Sequence, residues 1–369
     1  MTVTPSTKKI AILPGDGIGK EVIAEARELL ELYREKGGLP LDLWDLDLGA
    51  DRYLNDGTTM PDDVHADIHR SSAVLLGALG DPRVPDQRHA REILFGIRFG
   101  CDLYANVRPV RPLADSLVPL KNKRAEQIDF VVFRENTEGL YADIGGQLRR
   151  GTADEIAISE DVNTRKGVER IIVAAFEHAK TTGKTRVHMA DKSNAMRHAH
   201  DLWQRVFREV SGRYPGIEGE HMYIDALCLK VVQAPEAFQV IVTNNLFGDI
   251  VTDLAAALQG GLGMAASANV HAADPSRVAM FEPVHGSAPM LAGKDAANPF
   301  AAFLTVGMML SHLGWPAEER RIEETVVRAL TLGRCTSDVG GALGTKAVGA
   351  FVRGEIGRSL DAFRSMLGG

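Results

Sequence analysis

Cysteine is scarce, with only Cys101, Cys228 and Cys335 in 369 residues and no CxxC spacing among them. That excludes a disulfide framework and a cysteine-built zinc site, and it fits a reducing, cytoplasmic setting. Positive charge is in deficit: 42 Lys and Arg stand against 49 Asp and Glu, for a formal net charge of −7. General nucleic-acid or anionic-membrane binding needs a basic surface and is not expected, although a local arginine cluster still suits a small anion. No stretch approaches the ~18 uncharged apolar residues of a membrane-spanning helix. The opening MTVTPSTKKIAILPG has no long apolar core of the kind a signal peptide carries. There is no internal repeat and no low-complexity linker. At ~150 residues per domain the length suggests two domains, the second inserted into the first. The expected division is 1–107 with 256–369, interrupted by 108–255.

What is present is alternation. KKIAILPG, AVLLGAL (73–79), FVVFRE (130–135), RVHMAD (186–191) and VIVTN (240–244) read as buried strands. Amphipathic stretches at 18–36, 165–182, 194–210, 246–259 and 298–313 read as helices. Strand–helix alternation predicts an α/β fold with a partly parallel sheet. Residues 145–165 alternate polar and apolar around Gly151 and read as an exposed hairpin or arm, either a plain surface feature or a clasp for a partner chain.

Several stretches concentrate chemistry. Gly15-Asp16-Gly17-Ile18-Gly19 follows a strand and opens a helix. It suits either backbone approach to an anionic ligand or simply a tight strand-to-helix turn. In HAREILFGIRFGCDLYANVRPVRP (89–112), Arg91, Leu94, Phe95 and Arg98 share a helix face, and Arg108 and Arg111 follow in an extended segment. Guanidinium groups flanking apolar side chains fit a carboxylate ligand with an apolar substituent, or else snorkel over a core face. FVVFRENTEGLYADIGG adds Arg134 at a strand end and Tyr141, either a proton donor or a half-buried aromatic. Lys192 lies just past a strand, before a helix expected to be capped by Ser193 or Asn194. Asp249 and Asp253 are four apart on one helix and, with Asp225, suggest an oxygen site for Mg²⁺ or Mn²⁺, unless each is simply an acid favoured near a helix N-terminus by its dipole. The Gly/Pro/Asn-rich loop MFEPVHGSAPMLAGKDAANPF carries His285, Gly286 and Ser287, which suit phosphates or an adenine ring if the loop is not purely structural.

Taken in order, LPGDGIG, Arg98 with Arg108, RENTEGLY, DKSN, NLFGDIVTD, EPVHGSAP and ANP resemble the β-decarboxylating dehydrogenases, which act on isopropylmalate, isocitrate, homoisocitrate, tartrate or D-malate. The resemblance covers nearly the whole chain. It implies an isopropylmalate dehydrogenase-like α/β fold in which two domains share a central sheet around a cleft, and a homodimer whose sites are completed across the interface. Arg98, Arg108 and Arg134 would then hold malate carboxylates. Asp249 and Asp253 would bind Mg²⁺ or Mn²⁺ with Asp225, and Lys192 and Asp225 would come from the partner subunit. Tyr141 would give the proton, and His285, Gly286, Ser287, Ala288, Met290 and Asn298 would line an NAD site. The presence of every one of these groups argues against a non-catalytic regulatory relative.

Substrate choice within the family follows the helix before Arg98. Isocitrate-type members place Ser and Asn where Glu92 and Leu94 stand, and homoisocitrate-type members place Arg where Phe95 stands. The apolar Leu94/Phe95 pair resembles isopropylmalate-type members. RENTEG and Ala195 lean toward tartrate or D-malate types or a specialised 3-substituted-malate enzyme, in which Arg91 would meet a distal anion. Met290 stands where NAD-preferring members often have Asp and NADP-preferring members often have Lys, and RCTSDVGG (334–341) shows no Tyr/Arg pair for a 2′-phosphate, so NAD is the default expectation.

Overall fold

The computed structural model describes residues 6–366. Twelve strands are present among them: β1 Lys8–Gly15, β2 Leu41–Asp45, β3 Ala73–Ala78, β4 Ala105–Val110, β5 Phe130–Glu135, β6 Gly145–Leu148, β7 Ile156–Ser159, β8 Arg186–Asp191, β9 Glu218–Tyr223, β10 Val240–Thr243, β11 Ala266–Val270 and β12 Ala279–Pro283. Ten of them form one sheet in the order β2-β1-β3-β12-β11-β4-β5-β10-β8-β9. Pairing is parallel in both wings and antiparallel at the β12–β11, β11–β4 and β4–β5 junctions in the middle. The α/β class is as expected.

Helices cover both faces, which is why β3 and β5 are buried at every position and read as continuous apolar runs. One wing packs two cores. One gathers Val22, Leu29, Phe300, Phe303 and Val352, and the other, on the opposite face, Ala11, Leu76, Ile93, Ile97 and Met280. The second wing is built the same way, with Ile171, Phe176, Trp203 and Val242 in one core and Phe130, Val132, Leu227, Ile241 and Val251 in the other.

Side chains alternate along a strand, and cross-strand partners share a face. Arg134 pairs with Asn106, Asn106 with Asn269, and Asn269 with Met280. The face that is apolar in each wing is therefore polar across the four middle strands. There Arg134, Asn106, Arg108, Asn269 and Glu282 make the floor of a cleft between the wings.

Helices end where local chemistry stops them. Thr164 accepts from Gly167 N at 3.0 Å to start the helix Arg165–Thr182, and Gly183 closes it at φ +70°. Asn244 caps the helix Asn245–Leu258 through Phe247 N at 2.9 Å. The expected cap by Ser193 or Asn194 is corrected: the helix begins at Arg197, because Lys192 N donates to His200 Nδ1 at 2.7 Å and Ser193 is drawn to Asp191. The expected arm is a separate two-stranded antiparallel hairpin, β6–β7, exposed throughout.

Candidate functional site

Three guanidinium groups meet over the polar floor. Arg98 comes from the helix Arg88–Gly100, Arg108 from β4 and Arg134 from β5, and all three are buried. Arg98 Nη2 donates to Glu282 Oε1 at 2.5 Å. Arg108 donates to Asn106 Oδ1 at 2.7 Å and to Thr252 Oγ1 at 2.5 Å. Arg134 Nε donates to Asn245 Oδ1 at 2.9 Å, and its Nη1 bonds Asp249. Asn106 Nδ2 and Asn136 Nδ2 both donate to Asn269 Oδ1, at 2.8 and 2.9 Å, while Asn269 Nδ2 reaches Glu282 Oε1 at 2.9 Å. One buried network thus links Arg98 to Arg108 and sets both heads in fixed geometry.

Burial pushes the Arg108 pKa down to about 10, and the neighbouring Arg134 adds to this, yet the group remains a cation at neutral pH. Burial pushes Glu282 up, but the charge of Arg98 and a hydrogen bond from Asn269 outweigh it, and the carboxyl sits below its ordinary value.

Asp249 receives the Tyr141 hydroxyl at 2.8 Å and lies 3.6 Å from Arg108. Burial raises its pKa, and Arg134 with Arg108 more than offsets that rise. Asp253, one turn on, is raised by desolvation and by the Asp249 charge. Two carboxylates repelling each other on one helix, with only oxygen donors between them, suit a hard divalent cation. Among the described residues no three His, Cys, Asp or Glu side chains come together to hold a metal within one chain. Burial, Asp249 and their hydrogen bond all raise the Tyr141 pKa, so the phenol stays protonated and able to donate.

Lys192 and Asp225 are not brought to the arginines. Lys192 Nζ pairs with Asp225 Oδ1 at 2.7 Å, and neither hydrogen-bonds the cluster among the described residues. The lysine holds the exposed Asp225 carboxyl below its ordinary range. Ala195 lies in the exposed turn beside them. Leu94 and Phe95 face the cleft half-buried, while the exposed Arg91 is paired with Asp143.

The loop after β12 sits against the glycine turn. A Cβ on Gly17, whose φ is +52°, would lie 2.0 Å from Ser287 O, and Ile18 N donates to that same oxygen at 2.8 Å. The tight-turn alternative holds for Gly15–Gly19: its glycines are filled by backbone, which leaves no room for a ligand at Gly17. Asp16 does the holding, accepting from Ala50 N at 2.7 Å, Gly80 N at 2.8 Å and His89 Nε2 at 2.9 Å. Among the described residues buried His285 has no partner for Nε2, a polar atom that a bound cofactor can satisfy. Gly286 and Met290 are exposed, Ser287 and Ala288 half-buried, and Asn298 donates to Asp338 at 2.9 Å.

The description "Isocitrate/isopropylmalate dehydrogenase" fits residues 9–352 by match to that family's model. A 3-isopropylmalate dehydrogenase of Thermobifida fusca is 44% identical over 324 residues, covering 88% of this chain and 91% of its own. One from Streptomyces griseus is 42% identical over 344 residues, covering 91% and 97%. The crystal structure of isocitrate dehydrogenase from Methylococcus capsulatus superposes with a TM-score of 0.86 at 35% identity, over 95% of this chain and 99% of that one.

Proposed function

The chain belongs to the isocitrate/isopropylmalate dehydrogenase family and is a decarboxylating dehydrogenase, and we propose that it converts 3-isopropylmalate to 4-methyl-2-oxopentanoate and CO₂ with NAD and Mg²⁺ or Mn²⁺, in leucine biosynthesis. The observation that carries this reading is the cleft itself: three buried arginines beside the apolar wall of Leu94 and Phe95. Arginine forks grip carboxylates in two contacts each, which fixes the substrate's orientation as well as its charge. A wall without hydrogen-bonding groups leaves a third carboxylate unpaired, which disfavours isocitrate.

When bound, the divalent ion supplies Lewis acidity at the C2 oxygen and the nicotinamide accepts the hydride. Asp249 and Asp253, with Asp225 of the partner subunit, would hold the ion, and the loop from His285 to Asn298 would hold NAD. Lys192 of the partner subunit takes the C2 hydroxyl proton. Arg98, Arg108 and Arg134 keep the carboxylates fixed while CO₂ departs from C3. Tyr141, kept protonated by its surroundings, returns a proton to C3.

We infer the homodimer from exposed apolar side chains in two places. Leu148, Ile156 and Ile158 line the hairpin, and Leu229, Val232 and Ile250 lie on the helices Ile224–Gln233 and Asn245–Leu258. The two wings, 1–107 with 256–369 and 108–255, are our proposed domains. The three cysteines are free, in keeping with a reducing cytoplasm, and no described helix is long and apolar enough to cross a membrane.

Initial rates of NADH formation with Mg²⁺ test the substrate. A kcat/KM for 3-isopropylmalate at least ~100-fold above D-malate, tartrate and isocitrate is expected, about 3 kcal/mol of discrimination. A flat or reversed ranking overturns the assignment in favour of a tartrate or D-malate enzyme. Replacing Asp253 by Asn is expected to raise the Mg²⁺ concentration for half-maximal rate by ~10-fold or more, since one charged oxygen donor is lost. An unchanged requirement would remove Asp253 from the metal set.

A further inference from the structure

We propose that the site accepts an arylmethyl group on C3, larger than isopropyl, in a groove that adjoins the carboxylate-binding cavity. The inference rests on the decarboxylating-dehydrogenase reading above. The cavity that holds Arg98, Arg108 and Leu94 measures about 230 Å³. A second cavity of about 720 Å³ lies on the other side of Phe95, and Arg91 and Phe95 line both. Its volume is within the range of small-molecule pockets.

One wall of the groove is aromatic, built by Phe95, Phe99 and Tyr141, and the rest carries His65, Asp86, Arg88, Arg91, Glu92 and Asp143. Phe95 stacks on Phe99 with centroids 5.3 Å apart, and meets the Tyr141 ring edge-on at 6.0 Å. Tyr141 is the group that returns a proton to C3, so C3 lies against its hydroxyl and a substituent on C3 meets its ring first. Offset and edge-on rings are the surroundings an aryl group favours.

One residue faces this open space without a side chain. Gly96 sits between Phe95 and Phe99 on the groove side of its helix, and a Cβ built there touches nothing within 4 Å. Both arginines that line the groove are already paired, Arg91 with Asp143 and Arg88 with Glu92 at 2.6 Å, and Asp86 adds a carboxylate that is in no ion pair among the described residues. The groove therefore offers no free cation to an anionic substituent and favours an uncharged one.

The test is steady-state NADH formation by the full chain with 3-benzylmalate and with 3-isopropylmalate, for the unaltered protein and for Gly96→Leu. The unaltered protein is expected to give kcat/KM values for the two substrates within tenfold of each other. Gly96→Leu, which fills the groove, is expected to lower the benzyl-to-isopropyl ratio at least tenfold. Gly96→Ala, a smaller change that also favours the helix, is expected to lower it by a lesser amount and keeps the test available if the Leu variant folds poorly. Good turnover of 3-isopropylmalate with 3-benzylmalate more than 100-fold poorer overturns the proposal, as does a ratio that neither variant moves. Turnover of D-malate or tartrate alone, with neither substituted malate used, overturns the underlying 3-substituted-malate reading and this proposal with it.

Discussion

Replacing Lys192 by Ala is expected to lower kcat at least ~10³-fold while leaving the fold intact, the scale expected of a lost general base. Removing the ammonium leaves only an exposed carboxylate behind, because Asp225 is two-thirds exposed at its side chain (67%) and needs no partner there. The sharper result concerns where the lysine acts. Within one chain, Lys192 and Asp225 pair with each other and do not join Arg98, Arg108, Arg134 and Tyr141. If the partner's lysine completes each site, Lys192→Ala and Tyr141→Phe homodimers are both inactive for different reasons. Mixed and reassorted, half the dimers are heterodimers, and each of these has one site free of both defects. Random reassortment then restores about a quarter of the unaltered specific activity. No recovery in a mixture shown to exchange subunits would mean that Lys192 acts within its own chain, and the shared-site reading fails.

The parts of this fold that are legible in the sequence are those buried on both sides. β1, β5 and β8 coincide with KKIAILPG, FVVFRE and RVHMAD because strands covered by helices on both faces are largely apolar along their middle. β9 escapes notice because EGEHMY is a largely polar edge strand, and β11 because ASANV is small and carries Asn269 toward the cleft. The site divides in the same way. Arg98, Arg108, Arg134, Tyr141, Asp249 and Asp253 stand out by residue type and local spacing. Asn106, Asn269 and Glu282 do not, since their role exists only through pairing: Asn106 and Asn269 meet across 163 positions of sequence, Arg98 and Glu282 across 184. Asp16 was visible inside the glycine turn, but its bonds to Ala50, Gly80 and His89 show it tying loops together, which glycine spacing alone does not reveal.

Glu282→Ala is expected to cost about 3–5 kcal/mol of stability, because it strands a buried guanidinium. Arg98 is 5% exposed, and among the described residues no other carboxylate pairs with it. Asn269 also loses the acceptor for Nδ2 at 2.9 Å. Thermal unfolding should fall by on the order of 10 °C, and chemical denaturation should give the same ranking.

The pH dependence of that gap follows from sign. Glu282 has its pKa lowered in the folded state from an ordinary 4.5, so its contribution is fully present above that value and is lost as pH falls through the lowered one. The difference between the two proteins should be flat from neutrality down to about 5 and shrink only in stronger acid. The double variant Arg98→Met/Glu282→Met should recover most of the lost stability, since an apolar pair of similar volume replaces two buried charges. It should recover none of the activity, because one carboxylate-binding fork is gone. A cost for Glu282→Ala below ~1 kcal/mol would mean that water reaches Arg98 and that the floor is not a dry, preorganised surface. If stability returns in the double variant without activity, the Arg98–Glu282 pair serves to present a charged fork in a buried place, and the fold itself does not require it.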